Sequence, residues 1–322
     1  MRSEVFKLYP DRDDVTLTSY VIADSPETTK GAKRPGVLVC PGGAYLFCSD
    51  REAEPVAIRF AAMGYHAFVL RYSVYYEGRP PVNTNESTLE MVPNPHSIHP
   101  APMRDIAKAF LFLHDHADAW ALDSSRIAIC GFSAGAHNCA MYSMYWHAPV
   151  ITEFFGQPEE KFRPAASILA YTLSDYILLA DTAKNLKDPM GRALFNASVV
   201  AFTGTSNPGA DLLEAVSPAR QVNAKTPPMF IWSTAGDGLV PVEHSTVLAT
   251  ALAAKKIPFE LHVFEEGDHG LSLGTQASAE SRSQINADVA KWSALAEAWL
   301  EKRLALDLPA LSHWELEAKA DR

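Results

Sequence analysis

The length and composition of the chain suit one large globular domain with a complete core. Of the 322 residues, 48% are hydrophobic and 20% are charged, and no run of apolar residues is long enough to span a bilayer. The formal net charge is −10, from 28 basic and 38 acidic residues, and no basic run occurs. Such a surface disfavours nucleic acid and anionic membranes as partners and suits a neutral small-molecule substrate.

The amino-terminal segment and the cysteines indicate the cellular setting. The first residues lack the apolar segment and the small-residue cleavage site of a secretory signal, which predicts a cytoplasmic protein. The four cysteines do not have zinc-ligand spacing, and buried free thiols explain them more simply. We therefore expect no metal and no cofactor. The frequency of symmetric dimers among cytosolic enzymes favours a homodimer.

Short apolar runs rich in Val, Ile and Phe alternate with helix-like segments along the chain. This order predicts an α/β fold, a mostly parallel sheet of about eight strands with helices on both faces. The predicted strands cover residues 5–9, 15–23, 36–40, 66–73, 126–130, 166–171, 229–234 and 259–264. Apolar residues at three- and four-residue spacing predict helices over 52–63, 103–119, 134–146, 242–255 and 279–303.

Two connections are longer than is usual between such elements. Residues 77–102 are rich in proline and predict an extended, lid-like insertion without a helix of its own. Residues 176–228 mix helix-like and turn-like pieces and predict a cap-like excursion. Because neither connection has the apolar periodicity for a separate core, we expect a single domain over residues 1–322.

The segment Gly131-Phe132-Ser133-Ala134-Gly135 lies between a predicted strand and a predicted helix. A strand, a tight turn and a helix are the context of a nucleophile elbow, in which the central serine is exposed at the carboxyl edge of the sheet. The glycines on either side allow the strand and the helix to approach closely. Ser133 is therefore the predicted nucleophile.

A serine hydroxyl needs a base within hydrogen-bond reach and an acid that orients the base. In folds with a nucleophile elbow, the expected order of these residues along the chain is serine, acid, histidine. Asp237 follows the strand predicted at 229–234, and His269 follows the strand at 259–264, so both should reach the sheet edge that carries Ser133. Asp268 is an alternative acid, although its position suits a turn residue. The alternative bases are His137, His244, His262, His114 and His116.

A glycine-rich turn after an early strand can supply the donors of an oxyanion hole. The backbone N–H groups of Gly43 and Ala44, together with that of Ala134, are predicted to face the oxyanion that forms when Ser133 attacks. Tyr45 and Tyr72 are candidate substrate contacts, because aromatic side chains at this edge can stack on a sugar or shape an acyl pocket. Packing of the lid explains Tyr45 equally well and explains Tyr72 better.

With these residues identified, the chain resembles a known family from about residue 15 to about residue 303. It is similar to the small bacterial esterases of the α/β-hydrolase superfamily that are acetyl xylan esterase-like or feruloyl esterase-like. The resemblance rests on the segments 39–45, 61–65, 70–72, 123–127, 131–135, 237–241 and 267–270. It implies cleavage of acetyl or other short acyl groups from sugars or model esters without a metal. One departure is Pro41, at a position where hormone-sensitive-lipase relatives usually have His.

The sequence thus predicts a serine carboxylesterase that hydrolyses short-chain acyl esters through a Ser-His-Asp triad and an acyl-enzyme. Acetyl groups on sugars or small alcohols are the favoured substrates, so the expected partner is a small-molecule or oligosaccharide ester. Two alternatives stay open. One is a serine peptidase of the oligopeptidase type, which shares the fold but usually carries a propeller domain. The other is a non-catalytic binding protein with an α/β-hydrolase fold.

Overall fold

The computed structural model of the protein describes residues 1–25, 27–29, 31–77, 91–185 and 189–320. Eight strands form one sheet in the order β1-β2-β4-β3-β5-β6-β7-β8 within these residues. The strands are β1 (Arg2–Tyr9), β2 (Arg12–Val21), β3 (Arg34–Cys40), β4 (His66–Arg71), β5 (Leu122–Phe132), β6 (Ala166–Ala170), β7 (Met229–Thr234) and β8 (Phe259–Phe264).

Among the eight strands of the described sheet, β2 alone runs opposite to the others. β2 pairs antiparallel with both β1 and β4, whereas every pairing from β4 through β3, β5, β6 and β7 to β8 is parallel. The residues of β3, β6 and β7 are all buried, since helices cover both faces of the sheet. The predicted fold class, with all eight strands at their predicted places, is confirmed.

Helices pack on both faces of the sheet and divide the core into two apolar clusters. Side chains of α2, α4 and α10 belong to the larger cluster, and those of α1 and α11 to the smaller one. The helices are α1 (Glu54–Ala62), α2 (Ala101–Asp115), α3 (Ala117–Trp120), α4 (Ala134–Tyr145), α5 (Pro149–Phe155), α6 (Tyr176–Asn185), α7 (Pro189–Thr203), α8 (Ala210–Ala215), α9 (Pro218–Gln221), α10 (Glu243–Ala254), α11 (Trp292–Leu304) and α12 (His313–Ala320).

The last helix predicted before the carboxyl terminus begins later than expected. The prediction placed it over 279–303, but α11 starts at Trp292, and 279–291 contain only two short 3-10 turns. Ser281 and Gln284 form a capping box around the first turn. The side chain of Asn286 then accepts hydrogen bonds from the backbone N–H groups of Asp288 and Val289. These local bonds compete with the helical pattern, which explains the late start.

The two long connections differ in how much structure they carry. Residues 176–228 contain α6 to α9. In the lid-like insertion, residues 91–100 have turns without a helix, as expected, and residues 78–90 lie outside the described part. Among the helices of the described chain, none combines the length and the apolar character that crossing a membrane requires.

Four histidines are held neutral inside the protein. Burial lowers the pKa of His66, His99 and His244 to about 4 and that of His137 to about 3. His66 Nδ1, for example, accepts a hydrogen bond of 3.1 Å from the backbone N–H of Ile22, which a doubly protonated ring could not do. The folded chain therefore resists protonation at these rings.

We expect the free energy of unfolding to fall as the pH is lowered from 7 to about 5. The four imidazoles titrate near pH 6.5 in the unfolded chain but only near pH 4 or below in the folded chain, so acid favours unfolding. Each ring contributes up to about 1.4 kcal/mol per pH unit in this window. Burial raises the pKa of the Asp105 and Glu52 carboxyls, which act in the opposite direction but are fewer.

Urea unfolding at pH 7.0 and 5.5 would measure this change. Equal or greater stability at pH 5.5 would contradict the expectation that the buried imidazoles outweigh the buried carboxyls.

Candidate active site

Ser133 occupies a strained turn between β5 and α4. Its backbone angles are φ 51° and ψ −118°, outside the regions that L-residues favour, and its N–H donates to the carbonyl of Ala170 over 3.0 Å. Tight backbone packing enforces the turn. A Cβ atom on Gly131 would lie 2.3 Å from the carbonyl oxygen of Gly135, and one on Gly135 would lie 2.1 Å from that of Cys40. The sequence therefore needs glycine at both positions.

The structure brings Ser133, His269 and Asp237 together in a hydrogen-bonded line. His269 Nε2 lies 2.8 Å from Ser133 Oγ, and His269 Nδ1 lies 2.7 Å from Asp237 Oδ2. Because the ionised Asp237 carboxylate only accepts hydrogen bonds, it fixes the imidazole with its proton on Nδ1 and leaves Nε2 free to accept from the Ser133 hydroxyl. The second oxygen of Asp237 accepts from the backbone N–H groups of Leu239 and Val240, both over 2.9 Å.

The elements that carry these side chains explain how residues distant in sequence meet. Asp237 comes shortly after β7 and His269 shortly after β8, so both loops leave the sheet at the edge where β5 ends. The side chain of Asp237 is 1% exposed and that of His269 is 14% exposed. The pair is thus shielded from water, while the imidazole still reaches the surface of the site.

The alternative acid and bases lie elsewhere. Asp268 is exposed. His137 is fully buried, where its Nδ1 accepts from the Tyr45 hydroxyl over 2.6 Å and its Nε2 donates to the carbonyl of Val216 over 2.9 Å. His244 is buried next to Ser174, and His262 lies next to Glu260 on β8. His116 lies next to the carbonyl of Phe112, and His114 lies on α2.

The loop predicted to supply oxyanion donors runs beside Ser133. Gly43 has φ +128°, and a Cβ atom there would lie 2.1 Å from the carbonyl oxygen of Phe47. Ala44 follows with φ 56°, so the backbone turns sharply after β3. Ala44 and Ala134 both line the cavity next to Ser133, a placement consistent with the predicted role of their N–H groups.

Two buried side chains hold this loop from behind. Tyr72 donates its hydroxyl proton to the carbonyl of Pro41 over 2.7 Å, and Glu52 accepts the N–H of Gly42 over 2.8 Å. Tyr72 is fully buried and lies behind the loop, outside the set of residues that line the cavity. Glu52 is not predicted from the sequence. The only signal was a glutamate ten residues after a glycine-rich turn, which has no recognisable pattern.

The cavity beside Ser133 has a volume of about 40 Å³ and mostly apolar walls. Tyr45 forms part of one wall, with its ring stacked on Phe202 at a centroid distance of 4.3 Å. The cap-like excursion supplies another wall through α7. The other lining residues are Ala44, Ala134, Leu173, Leu194, Phe195, Ser198, Leu239 and Val240.

The sheet order, the elbow and the Ser-His-Asp line together define the α/β-hydrolase class. A family model described as BD-FAE matches residues 90–252, which is half of the chain. The chain belongs to the BD-FAE family of α/β-hydrolases, as the resemblance to carbohydrate esterases predicted.

Individual relatives agree with this placement. Endo-1,4-beta-xylanase B of Butyrivibrio fibrisolvens is 34% identical over 75% of this chain and 33% of its own length. The α/β-hydrolase enzyme MGS-M1, from a Medee basin deep-sea metagenome library, is 31% identical over 95% of this chain and 99% of its own, with a TM-score of 0.69. The acetyl ester-xyloside bifunctional hydrolase of Caldicellulosiruptor lactoaceticus is 27% identical over 94% and 96% of the two chains, with a TM-score of 0.69.

The extent of these matches differs between the two kinds of relative. The chain spans a third to a half of the length of most of the curated relatives that it matches. By contrast, it spans nearly the whole of the similar solved structures. These comparisons support the prediction that the chain is a hydrolase enzyme.

Replacing Asp237 with asparagine separates the two candidate acids. We expect Asp237→Asn to lower kcat on a short acyl ester by about 10⁴, because the amide no longer fixes the imidazole tautomer. Asp268→Asn is the matched control and should keep kcat within about twofold of the parent enzyme, since surface changes away from a site have small effects. Steady-state kinetics with p-nitrophenyl acetate provide the measurement. A large loss in Asp268→Asn and none in Asp237→Asn would reverse the assignment.

Proposed function

We propose that the protein is a serine carboxylesterase that hydrolyses short-chain acyl esters, with acetyl groups on sugars or small alcohols as its substrates. The observation that carries the proposal is the hydrogen-bonded line from Asp237 through His269 to Ser133, with distances of 2.7 and 2.8 Å. This line supplies the base and the orienting acid that a serine nucleophile requires.

The geometry supports a two-step acyl transfer. His269 Nε2 takes the proton of Ser133 as Oγ bonds to the ester carbonyl carbon, and the resulting oxyanion faces the N–H groups of Gly43, Ala44 and Ala134. His269 then gives the proton to the departing alcohol as its C–O bond breaks, which leaves an acyl-enzyme. Water repeats the sequence with His269 again as base and releases the acid and Ser133.

The small cavity supports a short acyl group. A cavity needs a volume of about 10–15 Å³ to hold one water-sized group. The cavity next to Ser133 has a volume of about 40 Å³, so it holds the equivalent of about three such groups. Its side chains are mostly apolar, which suits an alkyl chain. A long fatty-acyl chain exceeds this volume.

A sugar as the alcohol part of the substrate is supported by the named relatives. One of the similar solved structures is an acetyl ester-xyloside hydrolase, and one of the curated relatives is a xylanase. The net charge of −10 is compatible with a neutral acetylated saccharide.

Replacing Ser133 with alanine tests whether this serine is the nucleophile. We expect kcat on p-nitrophenyl acetate to fall by about 10⁶, as when other triads lose their nucleophile. Labelling by a fluorophosphonate should disappear at the same time, because the reagent bonds to the activated serine. Ser143→Ala, at a buried serine on α4 away from the cavity, is the control. Persistent turnover and labelling in Ser133→Ala would exclude the proposed nucleophile, and an unlabelled parent would favour a non-catalytic binding protein.

Truncating Leu194 tests the cavity as the acyl site. We expect Leu194→Ala to raise the ratio of butyryl to acetyl turnover by about 10-fold or more, because extra methylenes gain space worth about 1–3 kcal/mol of selectivity. Leu212→Ala is the matched control, since Leu212 is a partly buried cap residue that packs on the same core without lining the cavity. The kcat/KM values for p-nitrophenyl acetate, butyrate and octanoate give the comparison. An unchanged ratio would place the acyl group elsewhere.

A further inference from the structure

A buried carboxylate lies between two loops beside Ser133. The oxyanion loop follows β3 and contains Gly43 and Ala44, and the histidine loop follows β8 and contains His269. Glu52 is the last residue of a short 3-10 turn, Asp50–Glu52, and is 4% exposed. Burial of an acid at this depth is costly unless its oxygens are paired. The proposed reaction scheme gives Glu52 no role.

One oxygen of Glu52 holds the oxyanion loop. Glu52 Oε2 accepts the backbone N–H of Gly42 over 2.8 Å, directly before Gly43 and Ala44. The contact is close, because a Cβ atom on Gly42 would lie 2.6 Å from the same oxygen and 2.9 Å from Ser133 Cβ. Glu52 thereby sets the orientation of the peptide that leads into the predicted donors.

The other oxygen of Glu52 reaches the loop that carries His269. Glu52 Oε1 accepts the hydroxyl proton of Tyr171 over 2.6 Å, and the Tyr171 oxygen accepts the backbone N–H of Ser272 over 3.1 Å. The Tyr171 ring also packs edge-on against the His269 imidazole at a centroid distance of 4.9 Å. The two oxygens of one carboxylate therefore connect the oxyanion loop to the histidine loop.

The neighbouring residue strengthens the same connection. Arg51 donates from Nη2 to the carbonyl of Gly270 over 2.9 Å and from Nε to that of Ser278 over 2.8 Å. The Ser272 hydroxyl donates to the carbonyl of Arg51 over 2.7 Å. The turn is thus bonded to the histidine loop on both sides of Ser272.

The hydrogen-bond pattern fits a carboxylate at Glu52. Gly42 N–H and the Tyr171 hydroxyl both donate to it, so an acceptor-only group satisfies them both. Burial raises the pKa of Glu52, whereas the two donors and the nearby His269 and Arg51 oppose that shift.

We propose that Glu52 is a positioning residue that fixes the oxyanion loop and, through Tyr171, the His269 loop in one geometry relative to Ser133. This inference rests on the proposed esterase function and goes beyond it by assigning a residue outside the triad. Glu52 contacts neither Ser133 Oγ nor His269 through a hydrogen bond. Its effect passes through backbone placement and should appear in the transition state more than in substrate binding.

The test compares Glu52→Ala, Glu52→Gln and Tyr171→Phe with the parent enzyme. Glu52→Ala should lower kcat on p-nitrophenyl acetate by about 10²–10³, the loss typical of one oxyanion donor, with KM changed less than about threefold. The kcat of Glu52→Gln should be at least about 10-fold higher than that of Glu52→Ala. The glutamine amide oxygen can still accept from Gly42, and its NH₂ group can donate to the Tyr171 oxygen. Tyr171→Phe should show an intermediate loss.

A transition-state analogue separates positioning from general damage to the structure. The inhibition constant of an acetyl-type trifluoromethyl ketone, whose adduct with serine carries an oxyanion, should weaken in step with kcat/KM across the variants. Asp50→Asn is the matched control in the same turn, because the Asp50 side chain is 86% exposed and, within the described residues, its ion pair is with Arg71 at the surface. It should keep the parent values of kcat, KM and inhibition constant.

Each result bears on the inference. Parent-like kcat and inhibitor affinity in Glu52→Ala, with thermal unfolding showing a folded protein, would overturn it. If Glu52→Ala does not fold, Tyr171→Phe decides, since it removes one hydroxyl only, and a parent-like rate there would overturn the inference. Fluorophosphonate labelling keeps the two proposals apart: a parent protein that is labelled but hydrolyses no ester would refute the esterase function, and slower labelling of Glu52→Ala would still support positioning.

Discussion

The contact of backbone on backbone around Ser133 is the constraint on which the rest of the site depends. Gly135 lies against the carbonyl groups of Cys40 and Pro41, closer than any side chain would allow, so α4 is seated directly on the end of β3. The same end of β3 begins the loop that carries Gly43 and Ala44. The position of Ser133 and the position of the loop after β3 therefore depend on the same contact. A small shift of α4 would change both.

The parallel sheet extends this geometry to the other loops. β5, β7 and β8 end at a common edge, which brings Ser133 within hydrogen-bond distance of a histidine 136 residues further along the chain. Rigid strands fix where each loop starts, but they do not fix the path of the loop. Buried polar bonds fix that path instead, since Leu239 and Val240 orient Asp237, and Glu52 with Tyr171 braces the segments around His269.

The sequence predicted the features that depend on local chemistry. Strands buried on both faces leave continuous apolar runs, so their number and place were predictable, and the glycines around Ser133 marked the elbow. The segment 279–291 was predicted wrongly as helix, because the bonds of Asn286 outweigh an apolar spacing that suits a helix. Glu52 was missed for a different reason. Its partner Tyr171 is 119 residues away, and pairing at that distance leaves no pattern in the sequence.

The wall that α7 gives to the cavity beside Ser133 has a consequence for how the proposed ester specificity could diversify. α7 belongs to a segment between β6 and β7 in the chain, so none of its residues lies in a strand. One wall of the proposed acyl site is therefore encoded apart from Ser133, Asp237 and His269. Under the proposed function, exchange of residues 176–228 between relatives would change this wall while Ser133, Asp237 and His269 stay in place.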